Sequence, residues 1–272
     1  KGRLALTLFT LIIGGAIFIA VFSARSSMFN FMDIIARNFQ SDITLTMERP
    51  YRIDEIEALL YALPEVDYVE GWTQTRAEIV DDDVSLAADM ILVAPPSTSK
   101  LVDPDIVAGR WLRAGHEHEF VAADAIYQTY PNIAPGDTLR LQIEGQRDEE
   151  WTLAGVFRFT NQLDDIFAYA TYEEIARIQN HPGQSASYRI VSGDKTLAEQ
   201  ERTGAIINRT LRDQGYHVAG LLEGREIFDQ AAEATNVLVG FLLTMAILTA
   251  LVGSIGLTGT MGMNVLERTR EI

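Results

Sequence analysis

Apolar residues gather at the two ends of the chain. Residues 4–22 and 237–266 are uncharged and mostly apolar. A hydrocarbon core ~30 Å thick takes roughly 20 such residues at ~1.5 Å rise each. Each end is therefore long enough to cross a bilayer as a helix. Past the first stretch, Met28, Met32, Ile35 and Phe39 recur at helical spacing, with no Gly or Pro over 16–40. The spacing predicts that the helix runs on as a stalk. Ile227, Phe228, Ala231 and Ala234 form a similar stripe over 225–236, ahead of the second span.

Between the ends the pattern changes period. Residues 42–47 alternate as a strand. Residues 52–62 read as a helix with Ile53, Ile56, Leu59 and Leu60 inward. Residues 66–79 read as a long strand, kinked near Gly71-Trp72. A second βαβ-like unit follows the same order: strand 187–191, helix 197–214 with Ile206, Ile207 and Leu211 inward, strand 216–219. The two units suggest an internal pair joined across a sheet. Between them 88–170 is strand-rich, with strands over 89–93, 120–122, 138–143 and 151–159. Turn signals such as Pro135-Gly136-Asp137 and Glu144-Gly145 separate them.

Charge sets the orientation. Of 22 basic residues, Lys1, Arg3, Arg268 and Arg270 lie at the tips; of 38 acidic ones, only Glu267 and Glu271 do. The remaining 18 basic and 36 acidic residues give the intervening segment −18. Excess Lys and Arg marks cytoplasmic flanks, so both termini read as cytoplasmic and 24–236 as extracytoplasmic, although Arg25 lies just outside the first span. An acidic domain argues against nucleic-acid binding. The absence of cysteine removes disulfides, thiolate metal sites and Cys nucleophiles. The first apolar stretch exceeds a signal-peptide core and lacks a clean cleavage site, so a retained helix is expected. Without an initiator Met, the chain reads as cut from something longer.

Candidate chemistry is sparse. Gly253, Gly256, Gly259 and Gly262 recur every third residue in the second span, and small residues let helix backbones approach in lipid. His116-Glu117-His118-Glu119 offers two histidines on one face if extended, but lies in an acidic turn with no third ligand set by spacing; a solvated turn is the expectation. No P-loop and no G-x-S-x-G occurs, and the only lysines are Lys1, Lys100 and Lys195. His181 and His217 stand alone. Asn208-Arg209-Thr210 fits a glycosylation acceptor but falls on a predicted helix, and no role is assigned to it.

The chain ends on Glu267-Arg268-Thr269-Arg270-Glu271-Ile272. Here the sequence resembles MacB/FtsX-type permeases of ATP-binding cassette (ABC) systems, whose Gly-rich second membrane helix runs into an E-R-x-x-E-I-G-type segment. Glu267, Arg268, Glu271 and Ile272 match that segment, with its Gly expected at position 273. Gly109-Arg110-Trp111-Leu112, Glu119-Phe120-Val121, Gly136-Asp137-Thr138 and Gly155-Val156 match further family positions in order. The resemblance spans essentially the whole chain.

The resemblance implies an α+β architecture: two transmembrane helices with stalk extensions flanking an extracytoplasmic domain, itself a porter-like lobe of two βαβ-like units with an inserted β-rich lobe. The expected division is 1–40 (helix and stalk), 41–87 and 173–222 (porter-like lobe), 88–172 (β-rich lobe) and 223–272 (stalk, helix and coupling segment). It implies a non-catalytic permease subunit of the plasma (inner) membrane, multi-pass in full length, without a cofactor. That subunit works as a dimer, homo- or heteromeric, among membrane lipids, with an ABC ATPase as partner, and moves a substrate the sequence does not name. Glu267, Arg268 and Glu271 are expected near the ATPase, and the four glycines at a helix contact. The rival reading is the ligand-sensing domain of a two-span receptor or sensor kinase, which shares this gross topology. An extracytoplasmic enzyme comes third, for want of a catalytic set.

Overall fold

A computed structural model describes residues 2–38, 40–80, 88–159, 165–193 and 195–269. It divides into two units: 1–32 with 228–272, and 33–227.

Two long helices, α1 (Gly2–Asn38) and α6 (Gly224–Thr269), each run without interruption through the predicted span and stalk. The stalk position Phe39 lies outside the described residues. Among the described residues one apolar helical stretch is long enough to cross a bilayer, Val239–Gly256 in α6; α1 carries a shorter one, Ile12–Met28.

Within the first unit α1 and α6 meet through small residues. A Cβ on Gly14 would lie 3.6 Å from both Ala250 N and Thr249 Cγ2. Val21 and Ala246 are buried, whereas Phe9, Ile19, Phe241, Val252 and Ile255 are exposed. The hydroxyls of Thr244, Thr249 and Thr258 each donate to the carbonyl four residues back. Such back-bonding spares these three hydroxyls from needing water.

The second unit is built on strands β1 (Ile43–Arg52), β2 (Val66–Val80), β9 (Gln184–Ser192) and β10 (Val218–Glu223). They pair antiparallel in the order β10-β1-β9-β2. Helix α2 (Ile53–Tyr61) links β1 to β2, and α5 (Leu197–Asp213) links β9 to β10. The two βαβ units are therefore interleaved, not placed side by side. Each has a strand of the other between its own two, the split βαβ of ferredoxin-like folds. Ile43, Leu45, Val69, Tyr188 and Ile190 pack against Ile56 and Leu60 of α2 and Ile207 and Leu211 of α5. The inward faces read from both helices are buried or half-buried.

The rest of the unit is a closed barrel. Beyond Trp72, β2 leaves β9 and pairs on its other edge with β3 (Ala88–Ala94). β3 pairs with β8 (Ile166–Tyr169), β8 with β5 (Glu119–Ala123), and β5 with β7 (Asp148–Phe157). β7 pairs with β6 (Thr138–Ile143), and β6 returns to β2. A six-strand ring closes among the described residues. Alternation sorts the side chains. Met90, Leu92, Phe120, Ala122, Leu141, Trp151 and Ala168 line one core, with Ile126 of α3 (Ile126–Thr129) and Ile175 of α4 (Tyr172–Ile178). Val93, Val121, Phe157, Phe167 and Tyr169 face the other way, onto Leu101, Val102 and Leu112. The expected strands between 88 and 170 are present. The short β4 (Ile106–Gly109), β8, α3 and α4 were not anticipated.

The kink read at Gly71-Trp72 is where β2 passes from sheet to barrel. A Cβ on Gly71 would fall 2.8 Å from Ile53 Cδ1, so glycine here admits the start of α2.

Candidate functional site

Both long helices leave the sheet at one place. Ile43, at the start of β1, pairs with Glu223, at the end of β10. The Gly224 amide, opening α6, donates to the Asp42 carbonyl at 2.7 Å. A Cβ on Gly224 would lie 3.0 Å from Ser41 O, so the two chain segments touch through main chain.

Asp42 is the knot of this junction. Its amide donates to Ile190 O at 2.9 Å. Its carboxylate accepts from Ser192 N at 3.0 Å and from Gln200 Nε2 at 3.2 Å. One residue thus ties the start of β1 to β9, to α5 and to the first residue of α6. Charge-assisted bonds to a carboxylate are the stronger kind. Nothing in the sequence spacing singled out Asp42.

A second tie reaches the barrel. The segment after β3 returns past the end of α1: Asp103 N donates to Arg37 O at 2.9 Å, and Gln40 N to Leu101 O at 3.1 Å. The strap is pinned by Glu70 on β2, which is only 5% exposed. Its carboxylate accepts from Tyr68 Oη (2.9 Å), Trp72 Nε1 (2.8 Å), Ser99 Oγ (2.6 Å) and Lys100 N (3.0 Å). A buried carboxylate is tolerable only when its lone pairs are met in this way. Burial and the Glu70 charge push the Tyr68 hydroxyl well above the ordinary tyrosine range. Across the ladder Arg189, opposite Glu70, lies over the Trp72 ring at 5.2 Å, and burial lowers its pKa to about 10.

The family-like glycines converge. Gly109 on β4 and Gly155 on β7 are register partners. Gly109 adopts φ +73°, and a Cβ there would strike Ala154 O and come 2.8 Å from Gly155 Cα. A Cβ on Gly155 would strike Arg110 O. Two motifs far apart in sequence are one close main-chain approach. Arg110 pairs with Glu119 of the following strand. Gly136, at φ +103°, donates its amide to Leu153 O at 2.8 Å.

The predicted site residues that are described lie on α6. Glu267 and Arg268 lie on the last turns of α6, and Glu271 lies outside the described residues. A three-residue step turns a helix by about 300°, so four such glycines walk around it. Accordingly Gly253 is buried, Gly256 half-buried and Gly259 exposed, with nothing within 4 Å of a Cβ placed there. Gly262 also lies on the helix.

The histidine turn sits among carboxylates. His116 Nδ1 lies 3.3 Å from Glu119 Oε1. His118, at φ +52°, places Nε2 3.1 Å from Glu149 Oε2 and 3.5 Å from Glu174 Oε1. Burial raises the Glu174 carboxyl above its ordinary range, against the opposing pull of the His118 amide and charge and of Arg177. Among the described residues no group of three or more His, Cys, Asp or Glu could hold a metal ion.

These features meet a known pattern. The family model of the MacB-like periplasmic core domain matches residues 4–201. An uncharacterized ABC transporter permease of Methanocaldococcus jannaschii is 23% identical over 176 residues, covering 62% of this chain and 41% of that relative. The chain therefore spans about two fifths of that relative's length. Among solved structures, the extracellular domain of the noncanonic ABC-type transporter YknZ from Gram-positive bacteria is 13% identical, with a TM-score of 0.48, covering 66% of this chain and 100% of that one. The periplasmic region of MacB from Actinobacillus actinomycetemcomitans is 10% identical, also with a TM-score of 0.48, covering 69% and 91%. On the family match, which takes in most of its length, this chain belongs to the MacB-like periplasmic core domains, of the ABC transporter permease type.

Proposed function

We propose that this chain is part of a permease subunit that carries motion from a cytoplasmic ABC ATPase to an extracytoplasmic domain, for export or extraction of a substrate. The observation that carries the reading is the shared root of the two helices: Ile43 beside Glu223, and Gly224 on Asp42. A push or rotation of the helices would enter the sheet at one knot instead of two separate points.

In this reading α1 and α6 both cross the plasma (inner) membrane, and residues 24–236 lie outside it. The sheet is the porter-like lobe (41–87 and 173–222), the barrel the β-rich lobe (88–172). Residues 1–40 and 223–272 are the helices with their stalks. Glu267, Arg268 and Glu271 serve the ATPase contact. Gly253 and Gly256 pack within the helix pair, and Gly259 and Gly262 face a second permease copy or a further helix. The exposed apolar side chains face lipid.

These 272 residues hold no cysteine, so once any cysteines elsewhere in the full-length permease and its ATPase are replaced, a single introduced one labels cleanly. Arg209→Cys on the exposed face of α5 can be spin-labelled in the full-length permease, reconstituted in nanodiscs with its ATPase. The distance between labels on two copies is expected to change on ATP binding. The change should vanish with Glu267→Ala and Arg268→Ala together. Distances unmoved by ATP in the unaltered protein would sink the coupling reading. Gly259→Leu sharpens the partner assignment: loss of copy-to-copy crosslinking supports it, and unchanged crosslinking rejects it.

A further inference from the structure

A cleft of about 420 Å³ opens where β2 leaves the sheet for the barrel, within the size range of ligand sites. Its floor is the stretch of β2 from Thr73 to Thr75, and its walls include Gln146, Gln179, Gln184, Glu144 and His181. The floor is a break in a ladder. On one edge β2 pairs with β9 as far as Trp72, and with β6 from Ala77 onward. Main-chain groups of alternate strand residues point to the same edge. On this edge Trp72 O accepts from Ser185 Oγ, and Arg76 O from Glu144 N at 3.0 Å. Gln74, midway between them, must present its N–H and C=O to the same edge. Among the described residues no strand pairs with Gln74 there; its partner Val93 of β3 lies on the other edge.

The walls suit the same ligand chemistry. Carboxamides donate and accept, and Thr73 Oγ1 steadies Gln179 by donating to its Oε1 at 3.2 Å. The lining among the described residues holds the Glu144 carboxylate and no Lys or Arg, and the chain carries −16 overall. Anionic ligands are thereby disfavoured.

We propose that this cleft binds an extended, neutral or basic polypeptide segment, which continues the broken ladder by pairing with the main chain of Gln74. This is strand addition at an internal gap, with main-chain bonds giving affinity and the carboxamide walls accommodating polar side chains. It does not depend on the coupling role of the helices.

The probe is a capped hexapeptide of alternating alanine and threonine, titrated against the full chain in phosphatidylcholine nanodiscs with the Gln74 amide resonance followed. Saturable shifts at Gln74 and Thr75 are expected. A twin with alternate peptide nitrogens methylated should bind about tenfold more weakly. Gln74→Pro, which deletes the cleft-facing N–H, should weaken binding similarly. Gln74→Ala, which keeps it, should change affinity less than about threefold. Because Gln74→Ala and the methylated twin both leave the strand intact, the test survives misfolding of the proline variant. No shift at millimolar peptide, or equal shifts with the methylated twin, overturns the proposal. So do shifts produced by chitobiose but not by the peptide, which would make the cleft a glycan site.

Discussion

The sheet and the barrel share β2 but handle their edges in opposite ways. The barrel closes on itself, with its core enclosed by strands and plugged by Ile126 and Ile175. The sheet stays open, ending at β10 on one side, and takes its core from helices laid on one face. Only the open sheet carries the helix roots. An open sheet can change its twist at a free edge, whereas closure holds the barrel strands in one ring. Under the proposed coupling, the sheet would receive the motion and the barrel would move as a body. β2 and the Glu70-pinned strap are the links between them.

The sharpest way to break this contrast is at the barrel wall. Gly155→Val drives a side chain into Arg110 O and toward Gly109. The expected loss is about 4 kcal/mol or more, since main chain, not a pliable side chain, must give way. Trp72 and Trp151 sit in the two barrel-lobe cores, so urea unfolding followed by tryptophan fluorescence reports it. A loss under about 1 kcal/mol would show that β4 does not brace the wall.

Next comes the link. Glu70→Ala strands the Trp72 indole N–H and the Tyr68 hydroxyl without their acceptor, at an expected cost of about 3 kcal/mol. Faster hydrogen exchange is expected at Lys100 and Asp103, while Leu92 and Phe120 stay protected. Uniform acceleration across the barrel would mean that Glu70 supports the barrel itself and not its tie to the sheet.

The smallest effect concerns Glu174. Its folded pKa is raised by burial, so the folded state holds the proton more tightly than the unfolded chain. Its favourable contribution is fully present below the unfolded value, about 4.3, and is lost as pH rises through the raised folded value. Glu174→Gln should flatten that fall in stability between about pH 4 and 7, while the carboxamide oxygen still accepts from the His118 amide, now at 2.8 Å. Urea midpoints at the two pH values check it. An unchanged slope would show that the ion pairs with His118 and Arg177 outweigh burial.

Much of this architecture was legible in the residues. The inward helix faces of α2 and α5 follow from 3.6-residue periodicity, because those helices lie half in water. The passage at Gly71-Trp72 was visible as a break in a long alternating run. Strand order was not: interleaving of the two βαβ units depends on pairings between residues as distant as Ile43 and Glu223, which local periodicity does not encode. β8 and α4 are too short, at four and seven residues, to show a period. The glycines of α6 recur every third residue, a step that does not match the helical repeat, so spacing alone does not say which face each one takes. Asp42 carried no signal, since a carboxylate ahead of a strand looks like any surface charge.

The interleaving has a consequence for how the chain is made. β1 leaves the ribosome long before its neighbours: Ile43 needs Ile190 on one side and Glu223 on the other. Through that interval β1 has two unpaired edges while the barrel sequence emerges and closes. Such long-range pairing is slow and exposes strand edges to aggregation. The barrel strands all precede β9 and β10 in the chain, so the ring can close before β9 and then β10 complete the sheet.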